Sequence, residues 1–418
     1  MGVATVHRGR VAGGLARRNA SGSWIALACA WLASACSAAP AHPSTPASPP
    51  LAASRATAVP ASPDDSLSTV LRDYSRAAFT GYAETVDSLE TLQRAVAELL
   101  ARPTRESLDR ARAAWIACRD PYSRTEAFRF SGGPIDGLDP VRGSSGPEGR
   151  INAWPIDEAF LDYVLQQPDA GLISDRRVPI DEPSLVSRNA AADDDQVTLG
   201  YHAIEFLLWG QDRSRDGPGA RPSTDYLPGD PIRERRRACL ALIVELLLCD
   251  LRGVRDAWDP AQGAAARRFL ATDAKLALGR ALSGPATLAA FELASERLGI
   301  PLASGEQEDE QSCFSDNTHR DIAADIEGIG RVLEGRGGAR GLLAALDAAH
   351  AADVRERLAH ARRLAARISA PFDQVIVSPP EDPRRRVPEA LVGELIGLAG
   401  AIQRAGTDAG VHVVIGGG

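Results

Sequence analysis

From residue 66 onward, apolar side chains recur every three or four positions, and that period predicts one helix after another. In SLSTVLRDYSRAAFTGYAETVDSLETLQRAVAELLA, residues 66–101, the stripe is Val70, Leu71, Ala77, Phe79, Tyr82, Val86, Leu89, Leu92, Val96 and Leu99. Pro103 and Thr104 end that helix and cap the next. The second stripe is Leu108, Ala111, Trp115, Cys118 and Tyr122, and Pro121 should kink or break its helix. Residues 131–150 hold too many glycines and prolines for a regular element, and 168–195 reads mostly as loop. Further helices are expected at 196–209, 231–259, 264–297 (a pair broken near Gly284-Pro285), 316–333, 339–369 and 387–404. No strand series would build a sheet. The pattern therefore predicts an all-α body: an N-terminal helical domain at 66–228, a C-terminal helical bundle at 229–405, and a loose tail at 406–418.

The first 36 residues read differently. Arg8, Arg10, Arg17 and Arg18 form a positive start with no acid, followed by the apolar WIALACAWLASAC, which is short for a bilayer span. This is the pattern of an export signal, and Leu32-Ala33-Ser34-Ala35-Cys36 resembles a bacterial lipobox, which makes Cys36 the expected lipidation site. An ordinary signal peptide cut after small residues is the alternative reading. Residues 37–65 are rich in Pro, Ala and Ser and serve as a tether between a membrane anchor and the folded body. Serine after Cys36 points to the periplasmic side of the outer membrane.

The chain carries a net charge of -8, and removing a basic signal leaves the body more acidic still. No arginine block is interleaved with aromatics, so nucleic acid is not an expected partner. Cys118, Cys239, Cys249 and Cys313 show no C-x-x-C spacing. A Cys118–Cys313 disulfide is open to an exported protein.

Within GYHAIEFLLWGQD, residues 200–212, His202 and Glu205 share a helix face among apolar neighbours, so both should be desolvated. Such a pair either satisfies itself or forms part of a metal site. H-E-x-x-H is absent, H-x-x-E-H fails at Phe206, and the paired E-x-x-H turns of di-iron bundles do not occur. What remains is a site of one histidine and several carboxylates, suited to iron, manganese or calcium. Arg119, Tyr122, Glu126 and Arg129 form a second polar stripe, which a salt-bridge ladder would also explain. Glu306, Glu308, Asp309 and Glu310 precede a helix carrying His319, and read equally well as a solvated approach. No G-x-S-x-G elbow, P-loop or dinucleotide fingerprint occurs.

Five segments occur in an order that resembles the imelysin-like proteins of bacterial envelopes. They are AWIACRDPYSRTEAFRFSGGPID, PEGRINAWPIDEAFLDYV, TLGYHAIEFLLWGQD, EDEQSCFSDNTHRDI and PFDQVI. The resemblance implies two helical domains with a cleft between them, built around a G-x-H-x-x-E motif that Gly200, His202 and Glu205 match. It implies iron-regulated uptake, with iron or an iron-containing ligand as cargo, His202, Glu205, Glu126 and His319 as metal ligands, and an envelope transport partner. Arg119, Arg129, Trp154, Asp157, Ser315 and Asp316 follow as residues of the cleft. The family's peptidase reading would make Glu205 a general base beside a metal on His202 and His319. An envelope scaffold, in which the pair only specifies packing, is a third reading. The resemblance also implies a histidine where this chain has Gln311.

Overall fold

A computed structural model of the chain describes residues 63–137 and 146–416. The signal segment, Cys36 and most of the tether lie outside them. Nine longer helices carry the body: α1 Pro63–Ala101, α2 Arg105–Ser123, α3 Gly200–Trp209, α4 Pro231–Ala257, α5 Ala264–Ala271, α6 Ala274–Thr287, α7 Thr318–Glu334, α8 Ala348–Ala365 and α9 Pro383–Asp408. Among the described residues there is no sheet, only an isolated bridge between Val164 and Gln167.

The predicted stripes are the buried faces. Val70, Tyr82, Val86, Leu89, Leu92 and Leu99 of α1 pack with Leu108, Ala111, Trp115, Cys118 and Tyr122 of α2. Thr104 accepts the Ser107 N–H while the Ser107 hydroxyl accepts the Thr104 N–H, so the α2 start is reciprocally capped. A second group forms where α9 packs on α8, on α6 and on the π-helical segment Leu288–Gly299 that continues α6.

Helix α4 packs on α1 and α3, across the expected domain boundary near residue 228. Two expectations are corrected. Pro121 and Pro285 lie inside continuous helices. After Pro285 the chain shifts into π-helical turns, which accommodate the missing donor without a break. The tail is docked. Val411 and Val413 are buried, Val414 N–H donates to Ser283 Oγ at 3.0 Å, and Thr287 Oγ–H donates to the Val414 carbonyl at 3.2 Å. Alternating valines supply an apolar edge that helix periodicity did not register. Cys118 and Cys313 are both buried free thiols.

Candidate metal-binding site

Gly200 opens α3 with φ +86°, and a Cβ there would stand 2.4 Å from the Ile151 carbonyl oxygen. Only glycine lets α3 start this close to the helical turn Glu148–Ile151. The helix then places His202 and Glu205 on one face, at 1% and 0% exposure. His202 Nδ1 lies 2.8 Å from Glu205 Oε2, while Glu205 Oε1 accepts from the Ser315 N–H at 2.9 Å and the Ser315 hydroxyl at 2.7 Å. Both carboxylate oxygens are therefore engaged. Burial pushes Glu205 up to about 8 despite the Ser315 hydrogen bonds. Burial, reinforced by the positive charges of Arg119 and Arg297, holds His202 well below its ordinary value, so the imidazole is neutral.

His202 Nε2 is buried without a partner. The residue lines a chamber of about 10 Å³, walled also by Trp154, Glu158, Glu308, Glu310, Gln311 and Cys313. That is room for one water-sized occupant. Glu310 and Gln311 are 1% and 2% exposed, and all four of their side-chain polar atoms lack partners. Burial, and then the neighbouring Asp373 carboxyl, raises Glu310 well above the usual carboxylate range. Burial raises Glu158 to about 7. An orphaned imidazole nitrogen, an orphaned carboxylate and an orphaned amide around a space of this size suit a small cation.

Residues 78–400 match the family model for imelysin, of the M75 peptidase family. The chain belongs to the imelysin family. Among this imelysin's relatives is iron-regulated protein A of Synechococcus elongatus, 26% identical over 265 residues; the match covers 61% of this chain and 59% of the relative. The chain thus spans under two thirds of that relative's length. The fold is similar to that of an iron-regulated protein A precursor from Parabacteroides distasonis, with TM-score 0.61 and 16% identity over 81% of this chain and 94% of that one. It is also similar to an imelysin-like protein from Psychrobacter arcticum, with TM-score 0.58 and 13% identity over 86% and 100% of the two chains.

Not all residues that the imelysin resemblance drew together are together. Trp154 lines the chamber and Ser315 holds Glu205. Asp157 does not line the chamber, although the neighbouring Glu158 does. His319 is half-buried at the start of α7, with burial lowering its pKa, and does not line the chamber either. Glu126, expected as a ligand, is bound by Arg297, by Arg129 at 3.4 Å and by Asn152 at 3.4 Å. Burial pushes Glu126 up, but the surrounding guanidinium groups outweigh it and hold the carboxyl below its ordinary range. Arg119 pairs with Asp321 at 3.3 Å and lies over the Tyr201 ring at 4.9 Å. Arg129 pairs with Asp136 at 2.9 Å. These three residues form an internal ionic network, because each charge taken from water needs a partner. Sequence reasoning missed Glu310 as a buried group. Its neighbours Glu308 and Asp309 suggested a solvated run, and the apolar Cys313-Phe314 just after it was the available signal.

Several buried or half-buried carboxyls are pushed up, which sets a pH dependence. Glu205 near 8, Asp316 near 7, Glu158 near 7 and Asp212 near 6 keep protons in the folded chain that the unfolded chain releases above about 4. The folded state therefore binds more protons across this window. Stability in chelator should fall as pH rises from about 5 to about 8, and urea midpoints at the two ends provide the check. A midpoint that rises over that range would contradict the assignment.

Proposed function

We propose that this imelysin captures iron as a single ion in the His202 chamber, tethered to the cell envelope through Cys36 and passing its cargo to a transport partner. The observation that carries the reading is the buried, unpartnered Nε2 of His202 beside the unpartnered Glu310 carboxyl. In this reading Glu205 is a positioning residue. When ionised it accepts the Nδ1–H of His202, which leaves Nε2 as a bare lone pair directed at the metal. The names of the relatives, iron-regulated protein A in two cases, support iron as the cargo. The size of the chamber favours a bare ion over a chelate.

The peptidase reading is less well supported. Glu205 is held by His202 on one oxygen and by Ser315 on the other, which suits a fixed positioning group better than a general base, and a chamber of about 10 Å³ does not admit a peptide.

Ferrous ion titrated calorimetrically into the purified full chain, without oxygen, tests the proposal. His202→Ala and Glu310→Gln should each weaken binding by about tenfold or more with the helical circular dichroism unchanged. Gln311→His should tighten it, because imidazole is a better iron ligand than a carboxamide. Unchanged affinity in a folded His202→Ala variant would sink the idea.

A further inference from the structure

Three of the five segments that identify the family each contribute one aspartate to a second cluster. Asp212 follows α3 in the WGQD stretch, Asp316 lies in SDNTH, and Asp373 opens the helical turn Asp373–Ile376 within PFDQ. Each offers a carboxylate oxygen, and the three oxygens lie within 4.8 Å of one another. They are the only set of three or more His, Cys, Asp or Glu donors so gathered among the described residues. We propose that Asp212, Asp316 and Asp373 form a site for a hard divalent cation, calcium in preference to magnesium, which adjoins the His202 chamber through the Glu310 carboxyl.

Two buried side chains point to a missing cation. Asp373 and Glu310, the latter from outside the triad, are each 1% exposed and meet carboxyl to carboxyl, a contact that needs a shared proton or a cation between them. A buried carboxylate without a donor is costly, and a pair of them facing each other more so. Among the described residues no arginine makes an ion pair with Asp212, Asp316 or Asp373, whereas the buried Asp162 pairs with Arg221 and Arg236. The carboxyls respond to this isolation. Burial, with the other acids adding to it, lifts Asp316 to about 7 and Asp212 to about 6. A cation would take the place of those protons.

The donor chemistry selects the ion. All donors are oxygen, which excludes the soft and borderline metals from first place. Two oxygens on one calcium can be no further apart than about 4.6–5.2 Å, twice the Ca–O distance, against about 4.2 Å for magnesium. The three oxygens all lie within that calcium span of one another, and a set of three carboxylates suits calcium, since magnesium usually keeps its waters and takes only one or two. Calcium takes roughly six to eight oxygens, so water must supply the remainder. A polar cavity of about 230 Å³ opens onto Asp212 and Asp373, between Gln307, Glu308 and Arg215, and admits a hydrated ion.

The consequence for the neighbouring chamber is mechanical. Asp316 sits in the left-handed backbone region at φ 57°, directly after the Ser315 that donates twice to Glu205. A cation joining the exit of α3, the Ser315–Asp316 corner and the turn at Asp373 would fix Glu205, and through it His202. The site itself does not depend on the iron reading; this coupling does.

The experiment is calcium chloride titration of the chelator-stripped, purified full chain, by calorimetry and by thermal unfolding. The wild type should bind one calcium with a Kd at or below about 1 mM, the range of extracellular calcium modules, and melt at a higher temperature when loaded. Asp373→Asn and Asp316→Asn should each weaken binding by about tenfold or more. Calcium-free, they should melt no lower than the wild type, since each removes a carboxyl from a crowded set. His202→Ala should bind calcium as the wild type does, which separates failure of this site from failure of the iron site. Absence of binding to the folded wild type at about 10 mM calcium, or full affinity in both aspartate variants, overturns the proposal. Preference for magnesium over calcium overturns the choice of ion.

Discussion

Replacing Arg297 with alanine should lower the unfolding free energy by about 3–5 kcal/mol, the cost of leaving a buried charge without its partner. Arg297 is fully buried and sits among three acids. Its guanidinium binds Glu126, Asp325 at 2.6 Å and Glu292 at 3.2 Å. The acids divide their roles. Arginine charge holds Glu126 below its ordinary range, whereas burial outweighs Arg297 at Asp325 and pushes that carboxyl up. One side chain thus holds the π-helical segment to α7 and to the helical turn Glu126–Phe128. Urea unfolding of the variant against the parent measures the loss. Arg297→Lys should recover only part of it, because a point charge cannot reproduce the planar fork. For contrast, Arg252→Ala breaks a pair with Glu90 in which both partners are more than a third exposed, and should leave the urea midpoint nearly unchanged. Equal losses at Arg297 and Arg252 would show that the buried network is not a principal constraint.

Gly200→Ala should be the second severe change. The left-handed backbone alone costs about 1–3 kcal/mol for a residue with a Cβ. The new methyl would also meet the Ile151 carbonyl oxygen at 2.4 Å and that of Arg150 at 2.8 Å, so α3 must move away from the Glu148–Ile151 turn. That movement carries His202 with it. Iron affinity and stability should therefore fall together, read by calorimetry and by urea midpoint on one preparation. Gly393→Ala, inside α9 with nothing within 4 Å of the new carbon, should instead be neutral or stabilising by up to about 1 kcal/mol. The glycine of the G-x-H-x-x-E motif is thus a statement about how closely two pieces of backbone approach.

Local periodicity was the readable part of this chain. The stripes of α1 and α2 alternate on the helical repeat over many turns, so their helices, buried faces and the Thr104 cap follow from sequence. The prolines misled because an interior proline is compatible with a helix once neighbouring turns adjust, as after Pro285. At the site, three-residue spacing revealed the His202–Glu205 contact but not its completion by Ser315, 110 residues away. The resemblance implied Glu126 as a metal ligand and Arg119 as a cleft residue, while their spacing alone fitted a salt-bridge ladder equally well. Their partners Arg297 and Asp321 come from distant helices, and no spacing rule reaches that far. The three aspartates of the second cluster lay within recognised segments, yet none has a motif partner in its own neighbourhood.

The docked tail is a long-range tie. Val413 is 2% exposed, and the hydrogen bond of Val414 to Ser283 lies 131 residues back along the chain. Closing so long a loop costs entropy that only the finished groove beside α6 offsets. Residues 411–414 should therefore be among the first to open under mild denaturant, which amide exchange at Val414 would read.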